Sequence, residues 1–191
     1  MIKKIINIFG IILISPFYVL CLLECKVGDS NRLYDFSCQS LALIPGLPGV
    51  VLRRCFYYMV LKSCELNCFI GFGTLLTDRN AIIEGDVYIG NYNVLATVDL
   101  KRGTFIASRV SVPSAGEIHE RTEDGRWTPF IGKNAQYVSI GPDAWIGEGA
   151  IVVADVAQGS MVAAGSVVVK PVESNVLVGG NPAKIIKRYD D

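Results

Sequence analysis

From Ile83 to Val169 an aliphatic position recurs about every six residues, followed by a small or acidic one. Ile83-Glu84-Gly85-Asp86-Val87-Tyr88 runs into Ile89-Gly90-Asn91-Tyr92-Asn93-Val94, and the cadence returns at Ile131-Gly132, Ile140-Gly141, Ile146-Gly147 and Val162-Ala163. That spacing matches neither the 3.6-residue period of a surface helix nor the alternation of a half-buried strand. It predicts a solenoid of short strands and tight corners, each repeat burying its aliphatic side chain against the next. The small residue after the aliphatic one is expected to permit the sharp turn, which Gly makes at no Cβ cost. The predicted fold class is all-β, a parallel β-helix of six-residue repeats.

The repeats predict a solenoid domain over residues 70–188, with Ile70-Gly71-Phe72-Gly73 as an imperfect first repeat. Its main interruption runs from Pro113 to Phe130 and is rich in charge. Such a stretch cannot belong to a core coil, so it is expected to project as a loop over 113–130. Loops held by a rigid scaffold are where chemistry concentrates. After Val169 the turn Gly179-Gly180-Asn181-Pro182-Ala183 leads into a basic tail, expected to cap the open end of the solenoid. Ala154 to Gly159 lacks about two residues of the regular spacing, which predicts a tighter corner there.

Residues 1–69 are different. Lys3 and Lys4 precede an apolar run from Ile5 to Leu23 that is interrupted only by Asn7, Gly10, Ser15 and Pro16. This length is at the lower edge for crossing a bilayer as a helix. No small-residue cleavage site follows Leu23, and Pro16 suggests a kink or break after Ser15. Three arrangements stay open: a single span, a broken hairpin dipping into one leaflet, and a buried helix. Attachment without crossing is the simplest. After a turn-rich stretch at Pro45 to Gly49, Val50 to Leu61 predicts a second helix. There Arg53 and Arg54 stand beside Phe56, Tyr57 and Tyr58, a combination that suits a lipid headgroup layer. The alternative is a helix packed on the solenoid with its arginines in solvent.

Eighteen basic residues balance eighteen acidic ones, which argues against nucleic acid as a partner. The six cysteines all lie within the first 68 residues, several in apolar runs, and are expected as buried thiols in a reducing compartment. His119, inside the predicted loop, is the only histidine.

Ile140-Gly141-Pro142-Asp143-Ala144-Trp145-Ile146-Gly147-Glu148-Gly149-Ala150, then Val162-Ala163-Ala164-Gly165-Ser166-Val167-Val168, and Val178-Gly179-Gly180-Asn181-Pro182-Ala183-Lys184 closely resemble the hexapeptide-repeat acyltransferases. The likeness is to the branch of sugar and polysaccharide O-acetyltransferases and covers roughly residues 70 to 188. It implies a left-handed β-helix assembled as a homotrimer, with acetyl-coenzyme A as co-substrate in clefts between subunits and a loop His as base. By position that base is His119. The chemistry agrees: an alcohol must lose a proton as it attacks a thioester, and imidazole is suited to take it. A surface His can equally be incidental.

Glu117 or Glu120 could hold the other ring nitrogen, as could a backbone carbonyl, though either acid can simply face solvent. Backbone amides near Gly141, or in the facing subunit, are candidate oxyanion donors. Trp145 matches a position near the cofactor channel, with packing at an intersubunit seam as its other reading. Ala163, Ala164 and Gly165 would let a pantetheine arm approach the backbone, or serve only the corner. Lys170, Lys184 and Arg188 could meet coenzyme A phosphates, or form a solvated tail, and Asn181-Pro182 would place the cap near adenine. Where better-known members carry an acceptor-holding Asn, this chain has Gly90, with Asn91 and Asn93 nearby as acceptor-binding candidates. No metal is expected, since a related zinc-dependent solenoid family needs three histidines per site.

The reading that follows is acetyl transfer from acetyl-coenzyme A to a hydroxyl of a sugar or lipid-linked surface-polysaccharide intermediate, at the cytoplasmic face of the inner membrane. Access to acetyl-coenzyme A and the amino-terminal lysines both favour that face. N-acylation of an amino sugar and a non-enzymatic membrane-associated structural trimer are the alternatives.

Overall fold

The repeated aliphatic positions close into a three-sided, left-handed parallel β-solenoid in the computed structural model, which describes residues 2–28, 31–116, 118–129, 131 and 134–189. The first face stacks β1 (Ser63–Cys64), β4 (Ile82–Ile83), β7 (Val98–Leu100) and β10 (Val138–Ile140), and single parallel bridges extend it through Val156 and Val172. The second stacks β2 (Phe69–Ile70), β5 (Tyr88–Ile89), β8 (Phe105–Ile106), β11 (Trp145–Ile146), β13 (Met161–Val162) and β15 (Val176–Gly179). The third holds β3 (Leu75–Leu76), β6 (Val94–Leu95), β9 (Ser111–Val112), β12 (Ile151–Val152) and β14 (Val167–Val168). Coils are in parallel register, with Phe69 opposite Tyr88 and Ile70 opposite Ile89. The first coil is entered at Ser63, ahead of the boundary expected at residue 70.

Each face contributes an inward aliphatic side chain per coil, with a second at Val98, Val138 and Val176, and these are sealed from solvent. Ile83, Ile89 and Leu95 form one such triplet, Leu100, Ile106 and Val112 the next, and Ile140, Ile146 and Val152 another. Burying a branched aliphatic side chain contributes roughly 1.5–3 kcal/mol. One such residue in every six therefore supplies a continuous core.

The glycines after the aliphatic residues act differently from the expectation. Gly71, Gly90, Gly141 and Gly147 are not in the left-handed region. A Cβ on Gly141 would lie 2.5 Å from the amide nitrogen of Gln158, and one on Gly90 would lie 2.7 Å from the carbonyl oxygen of Ala107. These positions let consecutive coils approach. The left-handed turn residues come two positions later, at Gly73, Tyr92, Asp143 and Gly149 among others.

Three helices precede the solenoid: α1 (Ile2–Val27), α2 (Arg32–Ala42) and α3 (Gly46–Val60). α1 passes through Pro16 without a break, which removes the broken hairpin. Pro16 has no N–H to give the carbonyl of Ile12, and the hydroxyl of Ser15 donates to that carbonyl instead at 2.8 Å. α1 is long and apolar enough to cross a membrane, yet one side of it is packed. Gly10, Ile14, Cys21 and Glu24 are buried, and Glu24 accepts from the amides of Leu33 and Tyr34 at the start of α2 and from Arg79 at 2.6 Å. Its other side exposes Ile5, Ile8, Phe9, Ile12, Leu13, Val19 and Leu23, so it is not an ordinary buried helix either.

α3 begins at Gly46, inside the stretch expected as a turn, because Pro48 sits in the first helical turn where no N–H is needed. The headgroup reading of its basic and aromatic residues fails for Arg53, Phe56 and Tyr57, which are buried against the first coils. Arg53 Nε donates to the carbonyl of Ile70 at 3.0 Å, and Nη1 to that of Ile44 at 2.8 Å. The Tyr34 hydroxyl donates to the Leu76 carbonyl at 2.8 Å, while the Tyr57 hydroxyl accepts from the Leu76 amide at 3.2 Å. These side chains take the place of a preceding strand at two faces. Burial lowers the pKa of Arg53 and raises those of Tyr34 and Tyr57 well above the ordinary value.

At the far end β16 (Lys184–Arg188) pairs antiparallel with β15 and so covers the edge of one face. All six cysteines are free, and five are buried, with Cys64 and Cys68 at 3.9 Å between sulfurs.

Candidate active site

Inward residues are six apart from the first face to the second and from the second to the third in every coil. The edge from the third face back to the first obeys no such rule. Leu76 to Ile83 takes seven residues, Leu95 to Leu100 five, Val112 to Ile140 twenty-eight, and Val152 to Val156 and Val168 to Val172 four each. The tight corner expected after Ala154 lies on this edge and recurs one coil later. The long excursion, too, leaves and returns here.

The excursion outlasts the expected loop, because the coil resumes at Val138 and not at Ile131. Its base is anchored by the buried Ser114 hydroxyl, 2.6 Å from that of Thr97, which donates to Asp78 at 2.5 Å. Beyond that it folds back on itself: Ala115 bridges Gln136, the amide of Ile131 donates to the carbonyl of Ile118 at 2.8 Å, and Arg121 bridges Trp127. At the tip the Thr122 hydroxyl and Arg126 hold the carboxyl of Asp124 below its usual range. The result is a ribbon with both strands fixed at one edge of the prism.

His119 is exposed on this ribbon, and its Nδ1 lies 3.0 Å from the carbonyl oxygen of Thr128 across it. A carbonyl only accepts, so Nδ1 carries the proton, and in the neutral ring the lone pair is on Nε2. The described partner of Nδ1 is thus a backbone carbonyl, and Glu120 turns its polar groups elsewhere. The amide of Glu120 donates to the Thr128 hydroxyl at 2.8 Å and its carboxylate accepts from Asn134 at 3.3 Å. Glu117 lies outside the described residues.

The cofactor candidates divide between edges. Ala163, Ala164 and Gly165 form the corner between the second and third faces, and Gly165 has a left-handed φ of 69° with open space where a Cβ would stand. Asn181 and Pro182, joined by a cis bond, follow that corner one coil on, and Ala183 donates to Val167 at 2.8 Å. Lys170 and Lys184 meet in a cleft of about 310 Å³ with Glu173, Val178 and Ile185. Arg188 is paired with Glu173 at 2.5 Å, which holds the Glu173 carboxyl below its usual range.

Trp145 is half exposed on the second face, edge-on to Phe105 with ring centroids 6.0 Å apart, below the stacked rings of Tyr88 and Phe69. Gly141 lies on another corner, between the first and second faces. Its amide is committed to the carbonyl of Val156 at 2.7 Å, so it cannot serve as an oxyanion donor.

Of the two acceptor candidates, Asn91 is exposed, though its side-chain oxygen accepts from the amide of Phe72 at 2.9 Å. Asn93 is fully buried. Its Nδ2 donates to the carbonyls of Gly90 and Ala107, and its Oδ1 accepts from the amide of Val110 at 2.7 Å, so nothing of it reaches an acceptor. It occupies the inward corner position that Thr74, Val110, Ala150 and Ser166 fill in other coils, a register visible in the sequence.

No family model matches the chain. It is 31% identical over 141 residues to YJL218W of Saccharomyces cerevisiae, a protein assigned as an acetyltransferase, covering 69% of this chain and 68% of that one. It is 29% identical over 133 residues to WbbJ of Escherichia coli, assigned to lipopolysaccharide O-acetyl transfer, covering 66% of each. Among solved structures, a maltose O-acetyltransferase from Clostridium difficile superposes with a TM-score of 0.59 at 16% identity, over 84% of this chain and 87% of that one. A six-residue solenoid, a ribbon bearing the one histidine, and a relative matched across two thirds of its length agree: the chain belongs to the hexapeptide-repeat acyltransferases.

Proposed function

We propose that this protein transfers an acetyl group from acetyl-coenzyme A to a hydroxyl of a sugar carried on a lipid-linked surface-polysaccharide intermediate. It works as a homotrimer at the cytoplasmic membrane surface. The observation that carries the reading is the Nδ1 contact between His119 and Thr128, which presents Nε2 as the base. Family membership, the sugar named for the Clostridium difficile structure and the lipopolysaccharide named for WbbJ support the acceptor class.

In this reading Nε2 takes the hydroxyl proton as the oxygen attacks the thioester carbon. The tetrahedral intermediate collapses with cleavage of the C–S bond, and the proton passes to the departing thiolate. The pantetheine arm runs past Ala163, Ala164 and Gly165, with Asn181 and Pro182 alongside, while Lys170 and Lys184 face the phosphates. Trp145 and the amides of a neighbouring subunit complete the cleft. The exposed apolar side of α1, flanked by Lys3 and Lys4, lies in the plane of the membrane, because a spanning helix would have to abandon the packing of Ile14, Cys21 and Glu24.

The test is to incubate the purified protein with acetyl-coenzyme A and a glycan panel and to identify products by mass spectrometry. A positioned general base contributes about 100- to 10,000-fold. His119→Ala is therefore expected to lower turnover at least ~100-fold with the oligomeric state unchanged. Transfer by His119→Ala at the wild-type rate overturns the role of His119, and an N-acetylated product moves the acceptor to an amino sugar.

A further inference from the structure

The first two turns of α1 do more than lead an apolar helix. Lys3, Lys4 and Asn7 line one wall of a cleft of about 540 Å³, whose other walls are Arg54 of α3 and the first two coils at Asn67, Phe69, Asp86 and Tyr88. Three cations face it. Neither lysine has an ion-pair partner among the described residues. Arg54 gives Nη2 to Asn7 while its Nε is buried with no acceptor among the described residues. Asp86, the one carboxylate among the described residues of the wall, is already held by Arg102 at 2.9 Å and accepts from Asn67 at 3.1 Å. The balance is that of an anion site, and guanidinium with two ammonium groups suits a phosphate better than a carboxylate.

On the other flank of the seam between α1 and α3 is an apolar groove of about 460 Å³, lined by Ile5, Phe9 and Leu13 of α1 and by Leu47, Val51 and Leu52 of α3. Almost no polar surface opens into it, and the exposed side of α1 continues it. The same short helical segment thus offers a hydrocarbon-compatible wall and a cluster of unneutralised cations. A free phosphate or nucleotide needs only the second of these. A lipid with a phosphate headgroup needs both.

We propose that the cleft between the start of α1 and the first two coils binds the phosphate or diphosphate of an anionic lipid whose chain lies along the apolar side of α1. This rests on the reading of a lipid-linked acceptor given above, and assigns to Lys3, Lys4 and Arg54 the task of holding its headgroup.

The full-length protein is tested for sedimentation with vesicles of phosphatidylcholine alone, of phosphatidylcholine with a long-chain isoprenyl phosphate, and of phosphatidylcholine with phosphatidylserine at matched surface charge. Tighter binding to the isoprenyl phosphate vesicles than to the phosphatidylserine vesicles, by at least ~10-fold, is expected. The double variant Lys3→Ala/Lys4→Ala, which alters exposed side chains only, should remove that preference while leaving the melting temperature unchanged. Arg54→Gln should do the same if it folds. Equal binding at matched charge, or a preference kept by the lysine variant, overturns the proposal. So does binding of soluble inorganic diphosphate as tight as that of the vesicles. None of these readouts involves acetyl transfer, so a failure of the catalytic reading and a failure of the lipid site are separately visible.

Discussion

Two edges of the prism and the third follow different rules, and the difference separates what holds this molecule up from what it does. On the two six-residue edges the corner residues with left-handed φ recur, at Asp86, Gly103, Asp143, Gly159 and Asn175 on one and at Gly73, Tyr92, Arg109, Gly149 and Gly165 on the other. Backbone from one coil there meets backbone from the next, as at Gly141 and Gly147. Inserting or removing a residue would turn every following side chain out of register with the coil beneath. On the third edge the described residues with positive φ are Gly116 and Gly125, both in the ribbon and outside the coils, and its length runs from four residues to twenty-eight. A ribbon presenting an imidazole can be added there because nothing stacked on it depends on its length.

Substitutions should break or sharpen that contrast, beginning with the core behind the regular edges. Ile89→Ala deletes a fully buried side chain between two coils and is expected to cost about 2–5 kcal/mol in chemical denaturation. A smaller effect, about 1–3 kcal/mol, is expected for Asn93→Ala, which strips partners from a buried amide and two carbonyls. Its Michaelis constant for the acceptor should not change, and a large rise would return Asn93 to the acceptor site. On the irregular edge, Trp127→Ala touches an exposed ribbon residue and should leave stability within about 0.5 kcal/mol of wild type.

The least effect expected is one of pH at the end of the prism. Arg188 depresses the Glu173 carboxyl, so the tether of β16 is present above the ordinary carboxylate pKa and is lost as pH falls through the lower folded value. Hydrogen exchange of β16 amides should quicken across that acidic window. In Arg188→Ala that pH dependence should disappear.

Much of the solenoid was legible because its signal is one buried aliphatic residue per six, local and repeated. The ribbon was legible as an interruption of that signal, and His119 as the one imidazole within it. What escaped depended on neighbours distant in sequence. Arg53 beside tyrosines has the same composition whether it meets a headgroup or the carbonyl of Ile70, and only the first coil's unpaired edge decides. Ser15 ahead of Pro16 looked like a break, although a serine one residue before a proline can take over the orphaned carbonyl. Nearness to Gly90 makes Asn93 an acceptor candidate, whereas its register with Thr74 and Val110 marks it as internal.

A stack of parallel coils has no natural last member, since every exposed rung is a template for another. Here the helices supply the stop: the Tyr34 and Tyr57 hydroxyls and the Arg53 guanidinium occupy peptide groups of Ile70 and Leu76 that a further coil would otherwise claim. A shortened chain starting at Ser63 would bare those groups and invite end-to-end polymerisation into filaments. The amino-terminal layer is thus a chain terminator for the β-architecture, whatever else it touches.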